Sequence, residues 1–136
     1  MNQAPGGDVV IHSERDIVGA RKAVRLAATA LGFGLTDVTR IVTAASELAR
    51  NIVCYAGSGR LRWRGLDAGD RVGLELIFED RGPGIADLAQ AMQDGYTSGR
   101  GLGLGLPGTK RLMDEMEIQS TVGQGTIVTV RKWRKT

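Results

Sequence analysis

The spacing of apolar positions changes several times along the chain, and each change marks an element. The segment "DVVIH" (8–12) is short and β-branched, as an opening strand would be. From Ser13 the spacing becomes helical: Ile17, Ala20, Val24, Ala28 and Leu31 share one stripe, which Gly32 and Gly34 close. Ser13, followed by Asp16, supplies a candidate N-cap. A second stripe of Val38, Ile41, Val42, Ala45, Leu48 and Ile52 predicts a helix that starts near Thr36 or Asp37 and stops before Gly57.

Beyond Gly57 the period falls to two. "GRLRWRG" (59–65) and "RVGLELIFED" (71–80) predict two strands joined by the turn-rich "LDAGD". In the second, Val72, Leu74, Leu76 and Phe78 alternate, so one face is buried. "RGPGI" breaks that strand, and residues 86–98 predict a short helix and a mobile loop. Pro107 suits the first turn of a further helix, whose apolar side is Leu112, Met113 and Met116. "EIQSTV", a "GQG" turn and "TIVTVRKW" form a closing hairpin. No repeat or internal boundary appears, so residues 8–136 are expected to form one domain after a short disordered tail at 1–7. The order of elements predicts an α+β fold: a two-layer α/β sandwich with helices on one face of a mixed, mostly antiparallel sheet.

Composition narrows the classes. The 136 residues are 42% hydrophobic but only 4% aromatic, so the core must be aliphatic. No apolar run is long enough to span a bilayer, and "MNQAPGGD" lacks the order of a secretion signal, so the cytoplasm is the expected compartment. One cysteine, Cys54, and one histidine make neither a disulfide nor a zinc cluster. The net charge of +3 owes part of its excess to "RKWRKT", which reads as a solvated terminus; no nucleic-acid or membrane partner is expected.

Candidate chemistry begins with the glycines. "GLGLPG" (103–108) matches a dinucleotide fingerprint, but "YTSGR" stands where a buried strand is required. "GLGLPGTK" carries threonine where a Walker loop needs lysine, and the motifs of eukaryotic-type protein kinases are absent. Gly99, Gly101, Gly103 and Gly105 instead alternate with leucines up to a helix start, which suits anion binding by free N–H groups better than a linker. In "ELARN", Glu47 and Asn51 lie at i and i+4 on one helix face, a proton acceptor beside a neutral oxygen ligand; such residues are also common on solvated faces. In "EDRGPGI", Asp80 ends a buried strand, with Gly82 and Gly84 allowing close approach to its carboxylate; a plain acidic turn has the same appearance. "GQGT" adds the hydroxyl of Thr126.

Together, and in this order, the four places resemble the N, G1, G2 and G3 boxes of the GHKL superfamily of gyrase, heat-shock chaperone, histidine kinase and mismatch-repair protein, with its Bergerat ATP-binding fold. Within it, "TAASELARNIVCYAG", "FEDRGPGI" and "GLGLGLPGTKRLMDE" resemble the small bacterial protein-serine kinases that regulate sigma factors. The resemblance implies ATP and Mg²⁺ as cofactors. It implies Glu47 as the catalytic group orienting or deprotonating the attacking hydroxyl, Asn51 as Mg²⁺ ligand and Asp80 as adenine acceptor in a pocket shaped by Gly82 and Gly84. Gly101, Gly103 and Gly105 would line the phosphates, Arg100 would reach one of them, and Thr126 would assist near the base. Residues 86–100 would form a lid. The implied reaction moves the γ-phosphoryl of ATP to a serine or threonine of a STAS-domain protein. Once released, the kinase would bind and activate a PP2C-type phosphatase. Two rivals share these boxes: an anti-sigma factor that sequesters a sigma subunit and phosphorylates its antagonist, and a slowly hydrolysing ATP-binding module.

Overall fold

A computed structural model of the chain describes residues 6–92 and 105–134. Two long helices, α1 (Glu14–Ala30) and α2 (Leu35–Asn51), pack on one face of a sheet of five strands. The strands are β1 (Gly6–Ile11), β2 (Gly59–Asp67), β3 (Val72–Asp80), β4 (Glu115–Thr121) and β5 (Gly125–Trp133). Two short helices complete the helical layer, α3 (Leu88–Ala91) and α4 (Leu106–Leu112). This is the expected α+β sandwich with one refinement. The strand order is β1-β2-β3-β5-β4, and every pairing among the described residues is antiparallel rather than mixed.

The helical stripes are buried as their spacing predicts. Ile17, Ala20, Val24 and Ala28 of α1 meet Val38, Ile41, Val42, Ala45 and Leu48 of α2, and both helices cover Leu61, Leu74, Leu76, Phe78, Val128 and Val130 of the sheet. Alanines at the crossing let the helices approach closely, which suits a core poor in aromatics. Ser13 flanks α1 as predicted but its side chain caps no helical N–H; instead Asp16 reaches back to accept the N–H of His12 at 2.8 Å. Past Asn51, α2 continues as a π-helical turn over Ile52–Ala56 before the chain turns at Gly57.

Three boundaries differ from expectation. Gly6 and Gly7, read as part of a tail, belong to β1 and pair with Arg64 and Trp63 of β2; residues 1–5 lie outside the described residues. The helix expected to carry Met116 ends at Leu112, because Asp114 donates its N–H to the Arg131 carbonyl (2.9 Å) and accepts that of Trp133 (2.7 Å), which draws the chain into β4. The third concerns the basic terminus, which is engaged rather than solvated. Lys132 is 4% exposed and donates to the Leu112 carbonyl at the end of α4 (2.9 Å), while Arg134 donates to the Leu31 carbonyl at the end of α1 (2.9 Å). Trp133 lies under the Arg71 guanidinium, 3.8 Å from ring centroid to Cζ. Lys135 and Thr136 lie outside the described residues.

The face of the sheet away from the helices carries an ionic ladder. Glu75, 2% exposed, accepts from Arg64 Nε and Arg131 Nε at 2.7 Å each, and Arg131 also reaches Glu115 and Glu117. Burial pushes the Glu75 carboxyl up, but the hydrogen bonds and charges of Arg64 and Arg131 hold it below its ordinary value. Glu115 is lowered by the Trp133 indole N–H and by Arg131.

Candidate active site

The C-terminal ends of α2 and β3 meet the start of β5 around a cavity of about 300 Å³. Ile52, Phe78, Ile85, Leu106 and Val128 make its walls apolar, and Asn51, Asp80 and Thr126 supply polar atoms. An apolar slot with a few convergent polar groups is the usual form of a small-molecule site. Its size and mixed lining suit a small molecule with an apolar body and a hydrogen-bonding edge.

Asp80 is the last residue of β3 and stands directly opposite Thr126 in the β3–β5 register, so a single cross-strand pair delivers both groups. Asp80 Oδ1 accepts the Gly82 N–H at 2.8 Å, and no hydrogen bond among the described residues engages Oδ2. The turn that follows depends on glycine at two places. A β-carbon on Gly82 would come within 2.6 Å of Ala56 Cβ, and Gly84 has φ +78° with the Thr121 carbonyl only 2.5 Å from where a β-carbon would stand. The turn is thereby pressed between the π-helical turn and the β4–β5 hairpin, where the Gly123 N–H donates to the Pro83 carbonyl at 2.9 Å.

Glu47 and Asn51 lie one turn apart on α2, as the sequence indicates, but have different surroundings. Asn51 lines the cavity and its Oδ1 is buried. Glu47 is outside the cavity wall, beside the N-cap of α4: a β-carbon on Gly105 would stand 3.4 Å from Glu47 Oε2. A neutral amide oxygen suits Mg²⁺, a hard cation that takes its remaining ligands from phosphate and water. Among the described residues there is no cluster of three or more His, Cys, Asp or Glu that could hold a metal ion. Arg100, Gly101, Gly103 and the lid from residue 93 onward lie outside the described residues.

Sequence reasoning missed several wall residues. Tyr55 follows Asn51 at i+4 and lines the cavity, a position that helical spacing alone could have flagged. Ile85 and Leu106 carry no such signal, because only the fold brings them together. Ser120 also went unnoticed. It accepts the Ile85 N–H at 2.7 Å and lies 2.8 Å from Thr126 Oγ1, and the register of the predicted hairpin could have paired it with Thr126.

Residues 12–132 match the family model described as "Histidine kinase-like ATPase domain". The chain is 50% identical over 125 residues to the serine/threonine-protein kinase RsbT of Bacillus subtilis (strain 168), covering 92% of this chain and 94% of that protein. It is 31% identical over 120 residues to the anti-sigma F factor of Thermoanaerobacter sp. (strain X514), covering 84% and 82%. Among solved structures, the RsbU and RsbW domains of a Mycobacterium tuberculosis protein share the fold with a TM-score of 0.64 at 20% identity; the match takes in 97% of this chain but 34% of that one. The mycobacterial sensor histidine kinase MprB follows at 0.57 and 19% identity, covering 96% of this chain and 99% of that one.

Proposed function

The chain belongs to the family of histidine kinase-like ATPase domains, and from that premise we propose that it is a protein-serine/threonine kinase that uses ATP and Mg²⁺. The observation that carries the reading is the cross-strand pair of Asp80 and Thr126 at an apolar slot whose helical wall ends in Asn51, one turn from Glu47. Asp80 Oδ2 takes the adenine amino group, and Gly82 and Gly84 let the turn approach the ring. Asn51 Oδ1 is the oxygen this chain offers to Mg²⁺, which when bound neutralises phosphate charge. Arg100, Gly101, Gly103 and Gly105 are the residues assigned to the phosphates. Glu47 takes the proton of the incoming serine or threonine hydroxyl as its oxygen bonds to the γ-phosphorus and the bond to the departing ADP oxygen breaks. Such transfer asks the protein mainly for positioning and electrostatics.

The 50% identity to RsbT supports a role in a sigma-factor switch. The substrates are STAS-domain proteins of the RsbS or RsbR kind in a stressosome, and the second partner is a PP2C-type phosphatase of the RsbU kind, activated by binding. The proposed site of action is the cytoplasm; among the described residues no helix is long and apolar enough to cross a membrane. The test is incubation with labelled ATP, Mg²⁺ and a single-domain STAS protein, with Asp80→Asn as control. Label on a STAS serine or threonine, lost in the variant, is expected; ATP binding without transfer would overturn the kinase reading. The 31% identity to an anti-sigma F factor supports a second reading, sequestration of a sigma subunit, which a pull-down with sigma factor separates from the first.

A further inference from the structure

On the face of the sheet away from the helices, the strand registers align outward side chains in rows. Arg62, Ile77, Thr129 and Glu117 stand in one row across β2, β3, β5 and β4, and Arg64, Glu75, Arg131 and Glu115 stand in the next. Along the strands, β2 is therefore a column of cations and β4 a column of carboxylates, with the half-buried Ile77 and Thr129 between them. Glu75 is fully engaged by Arg64 and Arg131, but the outer columns keep reach to spare. The side chains of Arg62, Arg64 and Glu117 are 53%, 67% and 60% exposed, and among the described residues Arg62 pairs only with Glu79, at 3.5 Å.

We propose that this face pairs with the same face of a second copy of the chain, about a two-fold axis that runs parallel to the strands between β3 and β5. Such an axis lays β2 of each copy over β4 of the other and β3 over β5, and keeps each row opposite itself. Arg62 then meets Glu117 of the second copy, Arg64 meets its Glu115 and Ile77 meets its Thr129, every contact occurring twice. An axis across the strands would instead set Arg62 against Arg62 and Arg64 against Arg64, so the charge columns select the first arrangement. Aligned sheets pack about 10 Å apart, a gap that arginine and glutamate side chains close by reaching from both sides. The patch spans four strands and about five residues along each, roughly 300 Å² when flat. That area belongs to weak, reversible pairs rather than to obligate dimers. The helices lie on the far side of each sheet, so both cavities stay open, and the axis leaves them at the same end of the pair.

The experiment is sedimentation equilibrium of the full chain from about 1 µM to about 1 mM. Wild type should pass from monomer to dimer in this range, and added salt should weaken the pair. Arg62→Glu and Glu117→Arg should each raise the dimer Kd at least about tenfold, since each change acts twice and turns attraction into repulsion. The double variant Arg62→Glu/Glu117→Arg should recover the wild-type Kd to within about threefold. Within one chain β2 and β4 lie three strand spacings apart, about 14 Å, so such recovery reports contact between copies. If a reversed variant does not fold, as read by circular dichroism, Arg62→Gln and Glu117→Gln decide, with an expected rise of about fivefold each. A wild type that stays monomeric throughout overturns the proposal. A dimer indifferent to these changes, or a double variant no better than the single ones, overturns it as well and assigns the contact to another surface.

Discussion

One carboxylate oxygen of Asp80 shapes the turn through the Gly82 N–H, and the proposed function gives the other, which no hydrogen bond among the described residues engages, to the ligand. Asp80→Asn can keep the first contact and lose the charged acceptor, so the fold should survive. ATP affinity should fall by about ten- to a hundredfold, the range for a hydrogen bond to a charged group, as read by titration calorimetry. Glu47 is placed differently, beside Gly105 and outside the cavity wall. Glu47→Gln should therefore lower kcat for transfer by about 10²- to 10⁴-fold with little change in ATP affinity. A fall in both quantities together would remove Glu47 from the role of base. Ser120 shows what single-residue reading overlooks: a small polar residue in a strand gains its importance from a cross-strand neighbour and from a loop 35 positions earlier.

At the scale of elements, α1, α2 and β3 were legible because each buries a long stripe at its own period. The end of α4 was not. Met113 and Met116 are spaced as on a helix, yet Met116 belongs to β4, and the choice is made by Asp114 contacts with Arg131 and Trp133 on another strand. Asp80, Gly82, Gly84 and Thr126 were readable as a group for the converse reason, since they stand where a strand ends or a turn tightens. Of the apolar walls, Ile52 and Phe78 were legible as buried positions, but nothing local joined them to Ile85, Leu106 and Val128 around one cavity. The roles of Lys132 and Arg134 were equally hidden, because their acceptors are backbone carbonyls at helix ends far away in the chain. Lys132→Met should release the end of α4 and leave Asp37 and Asp114 near a lost cation. Stability should drop by about 1–3 kcal/mol in urea unfolding, the cost of a lost charge-assisted hydrogen bond.

Over the whole molecule, charge acts mainly within the sheet's outer face. Glu75 and Glu115 both have folded-state values below the ordinary 4.5. A carboxylate held low in the folded state adds stability that is complete above its unfolded value and is lost as pH falls through the folded one. Urea midpoints should therefore hold steady near neutral pH and decline below about pH 4.5, and Glu75→Gln should flatten part of that decline. Of the basic residues near the end of the chain, Arg131 belongs to this ladder, while Lys132 and Arg134 are engaged on the helical side by carbonyls at helix ends.

The strand order has a consequence for how the protein is made. β5 is the last strand in sequence, yet it lies inside the sheet between β3 and β4. A nascent chain that has not yet released residues 125–133 from the ribosome holds β3 with an open edge and β4 with no partner, both hydrophobic on one face. Helices can form early, but the sheet and the Asp80–Thr126 pair can close only in a late step that joins segments far apart in sequence, and such contacts are slow to form. Fragments that stop before Gly125 should therefore resist refolding and aggregate through the open edge. A force-sensing arrest assay at stepped lengths should register one folding event, after Trp133 has emerged, and nucleotide binding should first become possible at that same length.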